Sequence, residues 1–393
     1  MKVLQINAVY GAGSTGRICR ELDNALTQKN HQNKVLYAAE ASRPFWTKMN
    51  AIWSRLTGYN VNGAHISTSK MIRRIKEYCP DVVHLHNLHA NYVNIKKLLT
   101  FLGKKDIPTV ITLHDCWFFT GKCTHYTSTK CGKWQTGCGR CPRLKKDIPS
   151  WFFDRTVKMW KDKKKLFSAI PRLAVIGVSD WITNEAKKSF LQNAKIIKRI
   201  YNWIDLQTFY PRTENIREKY QLPKDKFLIL CIGAGWSNGM EKWQDLLRLA
   251  QNLPSDMHIV LGGSVESTKS LPKNITAIGY VHSTEELAKL YSGVDAYVHL
   301  SREDTFGKVI AEAMACGTPA VVYNVTACPE LIGEGCGHVV DVGDIDGVCA
   351  ALQMIKEKGK ATYSNNCVAY VREHFEKEKL IEDTVTLYEA VQR

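Results

Sequence analysis

The chain has 393 residues, of which 45% are hydrophobic, and a formal net charge of +16. That length favours two domains of ordinary size, and the composition excludes a disordered or fibrous protein. No apolar run approaches the roughly 18 residues that a membrane-spanning helix needs. The apolar run at the N-terminus is too short for the core of a signal peptide, so we expect a cytoplasmic protein.

The charge is distributed unevenly along the chain. Residues 1–200 carry 35 Lys and Arg against 12 Asp and Glu, whereas residues 201–393 carry 19 against 26. This asymmetry supports two domains with different partners. The basic half either has a merely soluble surface or docks on an anionic one, and the same charge would also suit a nucleic acid.

A glycine-rich loop follows the first predicted strand. The strand covers residues 3–9, and a Gly-x-Gly-x-x-Gly sequence at 11–16 leads into a predicted helix, which is the order found in nucleotide-binding folds. No acidic residue follows at the distance expected of a ribose ligand, so a dinucleotide site is not predicted. Strands are also predicted at 34–38, 82–86, 109–113 and 174–178, with helices at 67–77 and 92–102.

The second half repeats this alternation. Strands are predicted at 228–233, 258–262, 275–278, 296–300 and 320–323, and helices at 241–253, 284–292, 309–315 and 380–391. Strands that alternate with helices predict parallel sheets covered by helices on both faces. We therefore expect an α/β chain of two doubly wound domains that meet near residues 199–211.

Histidines follow two of the predicted strands. Ligands of open α/β sheets lie beyond the carboxyl ends of the strands, which makes His114 a candidate binding residue. A packing or capping role, with Asp115 as its orienting partner, is the alternative. His84 and His86 also end a strand, and we expect packing roles for them, with their side chains on opposite faces.

The segment 301–322 carries the clearest signal. An apolar run leads into an acidic turn, a glycine, a helix rich in Ala and Met, and a second apolar run. That order predicts an anion-binding turn and places backbone N–H groups and the positive end of a helix near Phe306 and Gly307. If 304–312 were helical throughout, the carboxylates of Asp304 and Glu312 would lie roughly 12 Å apart along the axis. This distance is too long to flank one glycosidic carbon and suits the two ends of a nucleotide-sugar.

With Phe306 and Gly307 fixing the register, the segment resembles the Glu-x7-Glu signature of retaining glycosyltransferases of the GT-B type, family 4. Asp304 then occupies the position of the first Glu, with Glu303 beside it as an alternative, and Glu312 that of the second. The resemblance implies that Glu312 binds the ribose hydroxyls and that Asp304 or Glu303 binds the sugar. It further implies donor contacts by three neighbours in the turn and helix start, which are Thr305, Phe306 and Gly307.

Further site residues follow from the same resemblance. Lys242 matches the Lys that neutralises the donor diphosphate, whereas Ala234 stands where the family often has an Arg. Lys308 is a candidate substitute for that Arg, with a solvated lysine as the alternative. His114 would contact the hydroxymethyl end of the sugar. The last two residues, Gly13 and Ser14, would face the donor phosphates and the acceptor.

A subset of family 4 from bacterial capsule and exopolysaccharide clusters is similar to nearly the whole chain. It implies two Rossmann-like domains in the GT-B arrangement: an acceptor-binding domain over 1–198, a nucleotide-sugar-binding domain over 199–379, and a helix over 380–393 that crosses back. The implied reaction is a metal-independent, retaining transfer of a hexose or N-acetylhexosamine from a nucleotide-sugar, with a UDP-sugar as the favoured donor. The acceptor would be a glycan or a lipid-linked oligosaccharide, and His114, Lys242, Asp304 and Glu312 would be the catalytic residues.

Five cysteines crowd into a predicted insertion at 116–142, and four of them have a spacing of interest. Cys123, Cys131, Cys138 and Cys141 have the count of a tetrathiolate zinc site closed by a Cys-x-x-Cys pair. A pair of disulfides, a redox role, or independent thiols are the alternatives. A structural zinc is the one cofactor that we expect, and none is expected for catalysis.

Basic and aromatic residues alternate from Arg143 to Phe167. This composition is typical of an interfacial helix on anionic lipid, and equally of a site for single-stranded nucleic acid or of a buried amphipathic helix. We expect a peripheral protein on the inner face of the cell membrane and no nucleic-acid partner. The rival hypotheses are a basic, zinc-stabilised nucleic-acid-binding protein and a non-catalytic GT-B scaffold.

Overall fold

Residues 1–201 and 381–393 form one unit of the computed structural model, and residues 202–380 form the other. We call them the N-terminal and C-terminal units. The corresponding boundaries expected from the sequence lay after residues 198 and 379. The structure describes residues 1–41, 43–61, 63–266 and 271–393.

The N-terminal unit contains a parallel sheet of six strands among its described residues. Its strands are β1 (Lys2–Asn7), β2 (Gln32–Tyr37), β3 (Val82–Leu85), β4 (Thr109–Leu113), β5 (Leu173–Gly177) and β6 (Ile196–Arg199). Its helices are α1 (Gly13–Gln28), α2 (Ala38–Ala41), α3 (Pro44–Thr57), α4 (His65–Tyr78), α5 (Ile95–Lys104), α6 (Thr156–Ser168) and α7 (Asp180–Lys187).

The strand order of this sheet is β2-β1-β3-β4-β5-β6. Strands β3, β4 and β5 are buried along their whole length, as expected of parallel strands with both faces covered. The chain leaves β1 toward one edge of the sheet and returns at β3 to build toward the other. Such a reversal point is where open α/β sheets bind ligands, beyond the carboxyl ends of the strands.

The C-terminal unit repeats the architecture. Its strands are β7 (Phe227–Trp236), β8 (Met257–Val265), β9 (Ile275–Gly279), β10 (Ala296–His299), β11 (Ala320–Tyr323) and β12 (Gly337–Val340). Its helices are α8 (Ile216–Lys219), α9 (Glu241–Asn252), α10 (Thr284–Gly293), α11 (Lys308–Ala315), α12 (Ile345–Lys358) and α13 (Lys360–Phe375), and α14 (Lys377–Gln392) begins here and continues in the N-terminal unit.

The parallel strands of this second sheet are ordered β12-β11-β10-β7-β8-β9, so its reversal point lies between β7 and β10. The two doubly wound α/β units expected from the sequence are therefore confirmed. Within the described residues, none of the helices is both long and apolar enough to cross a membrane.

The insertion between β4 and α6 is held by two buried lysines. The Nζ of Lys122 donates hydrogen bonds to the carbonyls of residues 143, 144 and 146 at 2.8 to 3.0 Å. The Nζ of Lys163 donates to the carbonyls of Trp117 and Thr120 at 2.6 and 3.0 Å. Ammonium groups that satisfy several buried carbonyls at once fix a segment that has little regular secondary structure.

The structure corrects the interfacial interpretation of the Arg143–Phe167 segment for its helical part. Its helix, α6, buries Trp160 and Phe167, which pack on the edge and face of Phe190 in the same unit. The exposed side of α6 carries lysines instead, so α6 is a packing helix with a solvated basic face. Among the aromatic residues of the segment, the three that precede α6, at 151–153, are exposed.

Candidate functional site

Two predicted motifs, the segment that contains Lys242 and the acidic turn before Gly307, lie at the reversal point of the C-terminal sheet. β7 ends at Trp236 and leads to α9, and its neighbour β10 ends at His299 and leads to α11. Because both strands run in parallel, their carboxyl ends and the starts of the two helices lie at the same edge of the sheet. The sheet topology thus brings together two segments that are separated by about sixty residues.

Helix α11 begins later than the notional helix over 304–312. Its first residue is Lys308, so Asp304 lies in the preceding turn and Glu312 lies in the second turn of the helix. Gly307, before the helix, has a φ of +84°, and a Cβ there would lie 2.7 Å from Cδ1 of Ile310. Only glycine fits without strain at this position, which directly precedes the first turn of the helix.

Asp304 is held by a histidine that the sequence analysis did not identify. The Nε2 of His299 lies 2.8 Å from Oδ2 of Asp304, and Tyr297 Oη lies 3.2 Å from Nδ1 of the same ring. The backbone N–H of Asp304 donates to Oγ1 of Thr326 at 3.2 Å. These contacts fix the Asp304 carboxylate and the turn that carries it. Glu303 beside it is half-buried.

The remaining residues of the turn and helix are buried. Thr305 and Phe306 are 7% and 2% exposed, and the Phe306 ring packs edge-on against Phe375. The Glu312 side chain is fully buried and accepts a hydrogen bond of 3.4 Å from the hydroxyl of Tyr291. Burying a charged carboxylate costs free energy. A ligand-binding role therefore explains the buried Glu312 better than a contribution to solubility does.

Two lysines occupy the first turns of α9 and α11. Lys242 is the second residue of α9, and its Nζ lies 4.6 Å from the centroid of the Trp236 ring. Burial lowers the pKa of Lys242, and the charge of Asp304 partly opposes that shift. Lys308 is the first residue of α11 and is 9% exposed. A cation at the positive end of a helix is unfavourable alone and becomes favourable once an anion binds there.

An ion pair between the half-buried Arg302 and a buried carboxylate was also missed by the sequence analysis. Arg302 binds Asp245 of α9 with two nitrogens at 2.8 to 3.2 Å, and the Asp245 carboxylate is fully buried. The hydroxyl of Tyr323 donates to the same carboxylate at 3.1 Å. Arg302 therefore fixes the turn to α9. It does not take the place of the arginine that the resemblance led us to expect at position 234, where this chain has Ala234. An acidic residue among the apolar positions of α9 was the available signal.

In the N-terminal unit, the glycine-rich loop follows β1 at the reversal point of that sheet. Gly13 begins α1 with a φ of +63°, and a Cβ there would meet no atom within 4 Å. Ser14, next to it, is exposed. The Gly11 N–H donates to the Gly16 carbonyl at 2.9 Å, which closes the loop on itself. Open backbone before a helix start is what the approach of an anion requires.

His114, at the end of β4, belongs to a chain of buried polar groups. Its Nε2 lies 2.9 Å from Nδ1 of His86, and Nε2 of His86 lies 3.1 Å from Oε1 of Gln5. The Gln5 amide N–H₂ donates to the carbonyl of Cys19 at 3.4 Å, which orients the amide oxygen toward His86. His86 therefore carries its proton on Nε2 and accepts on Nδ1, so that neutral His114 is protonated on Nε2.

The expectation that His84 and His86 face opposite sides of β3 is wrong. Residues two apart in a strand share a face, and the two rings lie 4.1 Å apart between centroids. His84 itself contacts Oγ1 of Thr112 at 2.7 Å and the hydroxyl of Tyr388 at 2.6 Å. The pair is buried, but it supports His114 and α14 rather than merely filling space.

The buried histidines predict a loss of stability in acid. Burial lowers the pKa of His84 to about 3 and that of His86 well below its usual 6.5. Below pH 6.5 the unfolded chain binds protons that the folded chain does not, so the free energy of unfolding falls by about 2 kcal/mol per histidine at pH 5. Urea unfolding of the parent at pH 7 and pH 5 should show this decrease, and the double variant His84→Gln/His86→Gln should show a smaller one. Exposed His282→Gln is the control, and an unchanged decrease in the double variant would contradict the assignment.

The four predicted cysteine ligands line one small cavity. Cys123, Cys131, Cys138 and Cys141 surround a space of about 20 Å³, and each has a free thiol. The Gly121 N–H donates to Sγ of Cys138 at 3.2 Å. The contact from the Cys123 thiol lowers the pKa of Cys141 to about 6. No group of three or more His, Cys, Asp or Glu in the described part of the chain is arranged as a metal site, so the structure brings the four together without a closed shell.

Two family models match consecutive parts of the chain. The model described as Glycosyltransferase Family 4 matches residues 15–208, and the model described as Glycosyl transferases group 1 matches residues 212–374. The chain is also 24% identical to WcaC of Escherichia coli (strain K12), over 97% of this chain and 91% of that protein. WcaC is a glycosyl transferase provisionally assigned to colanic acid biosynthesis.

Solved structures share the fold over the whole length. Sucrose-phosphate synthase from Thermosynechococcus elongatus superposes with a TM-score of 0.69 at 16% identity, covering 99% of this chain and 98% of that one. Anabaena HepE in complex with UDP and glucose superposes with a TM-score of 0.64 at 15% identity, covering 99% and 100%. At these identities the similarity establishes the architecture.

Proposed function

Because the chain belongs to family 4 of the GT-B glycosyltransferases, we propose that it is a retaining enzyme that transfers a hexose or N-acetylhexosamine from a nucleotide-sugar to a saccharide acceptor. The observation that carries the proposal is the pair of lysines at the starts of α9 and α11. Two helix ends and two cations at one edge of a sheet form a site for a diphosphate. A UDP-sugar is the favoured donor, a choice supported by the UDP complex of the HepE structure.

Stabilising the departing diphosphate would be the main catalytic effect. Its charge grows as the glycosidic bond breaks, so cations and N–H groups fixed beforehand bind the transition state more strongly than the donor. Lys242, Lys308 and the N–H groups after Gly307 would supply them. The donor phosphate itself would accept the proton of the attacking acceptor hydroxyl.

We propose that catalysis is independent of a divalent metal. The chain contains one Asp-x-Asp sequence, from Asp344 to Asp346, of the kind that holds metal ions in other enzymes. Asp344 instead caps α12, where its carboxylate accepts the N–H of Gly347 at 2.9 Å. The lysines and helix ends provide the positive charge that a metal would otherwise supply.

Asp304 or Glu303 would bind the sugar hydroxyls, Glu312 the ribose hydroxyls, and Gly13 and Ser14 the phosphates and acceptor. His114 would contact the hydroxymethyl end of the sugar. The contact of its Nε2 with His86 orients the His114 ring. This role is supported by the polar chain behind the ring.

The acceptor would be a growing, lipid-linked glycan of a bacterial surface polysaccharide, reached from the inner face of the membrane. The whole-length similarity to WcaC supports the polysaccharide part of this proposal.

A panel of UDP-, GDP- and ADP-sugars, read by thermal shift, tests the function. A donor at 100 times its Kd should raise the free energy of unfolding by about 2.7 kcal/mol. Product made from the stabilising donor, with the anomeric configuration read by NMR and with EDTA present, then tests retention and metal independence. Salt-dependent retention on nucleic acid without any donor effect would favour the nucleic-acid-binding rival, and donor binding without transfer would favour a scaffold.

We also propose a structural zinc ion at the four-cysteine cavity. A tetrathiolate donor set is typical of structural zinc, and such a shell leaves no open position for a substrate. Metal analysis of protein purified without added zinc should give about one zinc per chain. The variant Cys138→Ser should lose the metal and melt at a lower temperature, whereas exposed Cys79→Ser should retain it. Folded, reduced parent protein without zinc would contradict the site.

A further inference from the structure

Helix α3 exposes its apolar residues and buries a polar one. Ser54 is the buried residue of this helix, the reverse of an ordinary surface helix, whose apolar face is covered. Six apolar side chains with the spacing of a single helical face are between 37% and 63% exposed: Phe45, Trp46, Met49, Ile52, Trp53 and Leu56. We call these six residues the α3 apolar face.

The aromatic turn at 151–153 extends this surface. Its three side chains are between 41% and 68% exposed. The N–H of Trp151 donates to the carbonyl of Arg55 at 2.8 Å, and the Arg55 guanidinium lies over the Trp151 ring at 5.9 Å. A Cβ at Gly58 would lie 2.1 Å from the carbonyl oxygen of Phe153, so the two backbones are in direct contact. The turn and the end of α3 therefore form one continuous surface.

The charge around this surface has a single sign. Between Glu40 and Glu77 the sequence contains seven Lys and Arg and no Asp or Glu. Lys48 and Arg55 of α3 are exposed, and their helical spacing places both along one edge of the α3 apolar face. Trp and Phe beside Lys and Arg are typical of segments that insert rings at the lipid headgroup level while the cations reach the phosphates.

A groove separates α3 from the beginning of α4. It has a volume of about 670 Å³, and Trp46, Trp53 and Ile66 supply its apolar wall. Ile66 is itself 70% exposed. Arg43 and Lys70 lie along the same groove. Apolar walls with cations nearby match the chemistry of a phospholipid, an acyl chain joined to an anionic headgroup.

We propose that the α3 apolar face and the 151–153 turn dock the chain on an anionic lipid bilayer. Apolar and aromatic side chains enter the headgroup region, and Lys48, Arg55 and Lys70 bind lipid phosphates. This deepens the proposed function, since a lipid-linked acceptor is confined to a bilayer. It assigns adsorption to α3, in place of α6, whose aromatic residues are buried.

Co-sedimentation of the full chain with vesicles tests the docking surface. Vesicles of phosphatidylcholine alone and of phosphatidylcholine with phosphatidylglycerol are compared at low and high salt, because screening weakens attraction between exposed charges. The parent should bind the anionic vesicles and bind less in high salt. Trp46→Ser/Trp53→Ser should weaken this binding by about tenfold or more, because the variant has no indole rings to transfer from water into the bilayer.

Matched variants make the outcome specific. Tyr280→Ser, which removes an exposed aromatic ring from the C-terminal unit, should bind like the parent. A loss of binding in the triple variant of the exposed α6 lysines 161, 164 and 165, with none in Trp46→Ser/Trp53→Ser, would overturn the assignment to α3. A second result would also overturn it: light scattering shows that the parent is a dimer, Trp46→Ser/Trp53→Ser is a monomer, and the parent does not bind vesicles. A second copy of the chain would then cover the α3 apolar face.

The vesicle assay and the donor panel test the docking surface and the donor site separately. Stabilisation by a nucleotide-sugar without vesicle binding would overturn the docking surface alone. Vesicle binding that depends on Trp46 and Trp53, without any donor effect, would retain the docking surface and remove the proposed donor site.

Discussion

Replacing Lys242 with alanine is expected to lower the kcat of sugar transfer by about a hundredfold or more, with a smaller effect on donor affinity. The charge on the leaving diphosphate increases in the transition state, and removal of one fixed electrostatic contact there costs roughly 10² to 10³ in kcat. The Nζ lies 4.6 Å from the centroid of the Trp236 ring, and a side chain at Gly233 would approach it within 2.9 Å. Release of nucleoside diphosphate at saturating donor measures the change.

The exposed Lys224→Ala is the control for that experiment and should retain parental turnover. If Lys242→Ala keeps its kcat while Lys308→Ala loses it, the role belongs to the lysine at the start of α11. If both keep it, the diphosphate does not bind at these helix ends, and the proposed site is wrong.

The Glu312→Gln variant should lower kcat/KM by about ten- to a hundredfold. In the proposed site, an amide would offer one acceptor oxygen and no charge to the two ribose hydroxyls, and a hydrogen bond to a charged group contributes about 1.5 to 3 kcal/mol. The effect should appear in a titration of the nucleoside diphosphate alone, since the ribose is present there without the sugar. Calorimetric Kd values of parent and variant measure it.

Glu334→Gln, which changes an exposed carboxylate of the same unit, should leave the Kd unchanged. Because Glu312 also accepts a hydrogen bond from Tyr291, a purely structural role predicts a different result. In that case Glu312→Gln would shift the melting temperature and leave the nucleotide Kd within twofold of the parent.

The buried strands of both sheets were the easiest elements to predict. β4 and β11 have the predicted bounds, at Thr109–Leu113 and Ala320–Tyr323, because a parallel strand covered on both faces is a short apolar run. The edge strands β6 and β12 were missed. Both are only half-buried, so their sequences lack a continuous apolar run.

The candidate site could be proposed from the sequence where its residues follow one another along the chain. The turn from Glu303 to Lys308 was identified from its own order of residue types. The partners Arg302 and Asp245 are 57 positions apart, and His299 binds Asp304 only because of how the turn folds. The α3 apolar face has the spacing of a core helix, and sequence alone gives no sign that this face is exposed.

The division of the chain within α14 has a consequence for synthesis. Residues 202–380 leave the ribosome before residues 381–393, which complete the N-terminal unit. At about 5 to 20 residues per second, the first sheet is therefore made roughly 10 to 35 seconds before its last helix arrives. Until then the hydroxyl of Tyr388 is absent, and His84 lacks the group that contacts its Nδ1 in the finished fold. Most of the N-terminal unit is synthesised first, but the buried polar groups in its interior gain their last hydrogen-bond partner only after the C-terminal unit has been synthesised.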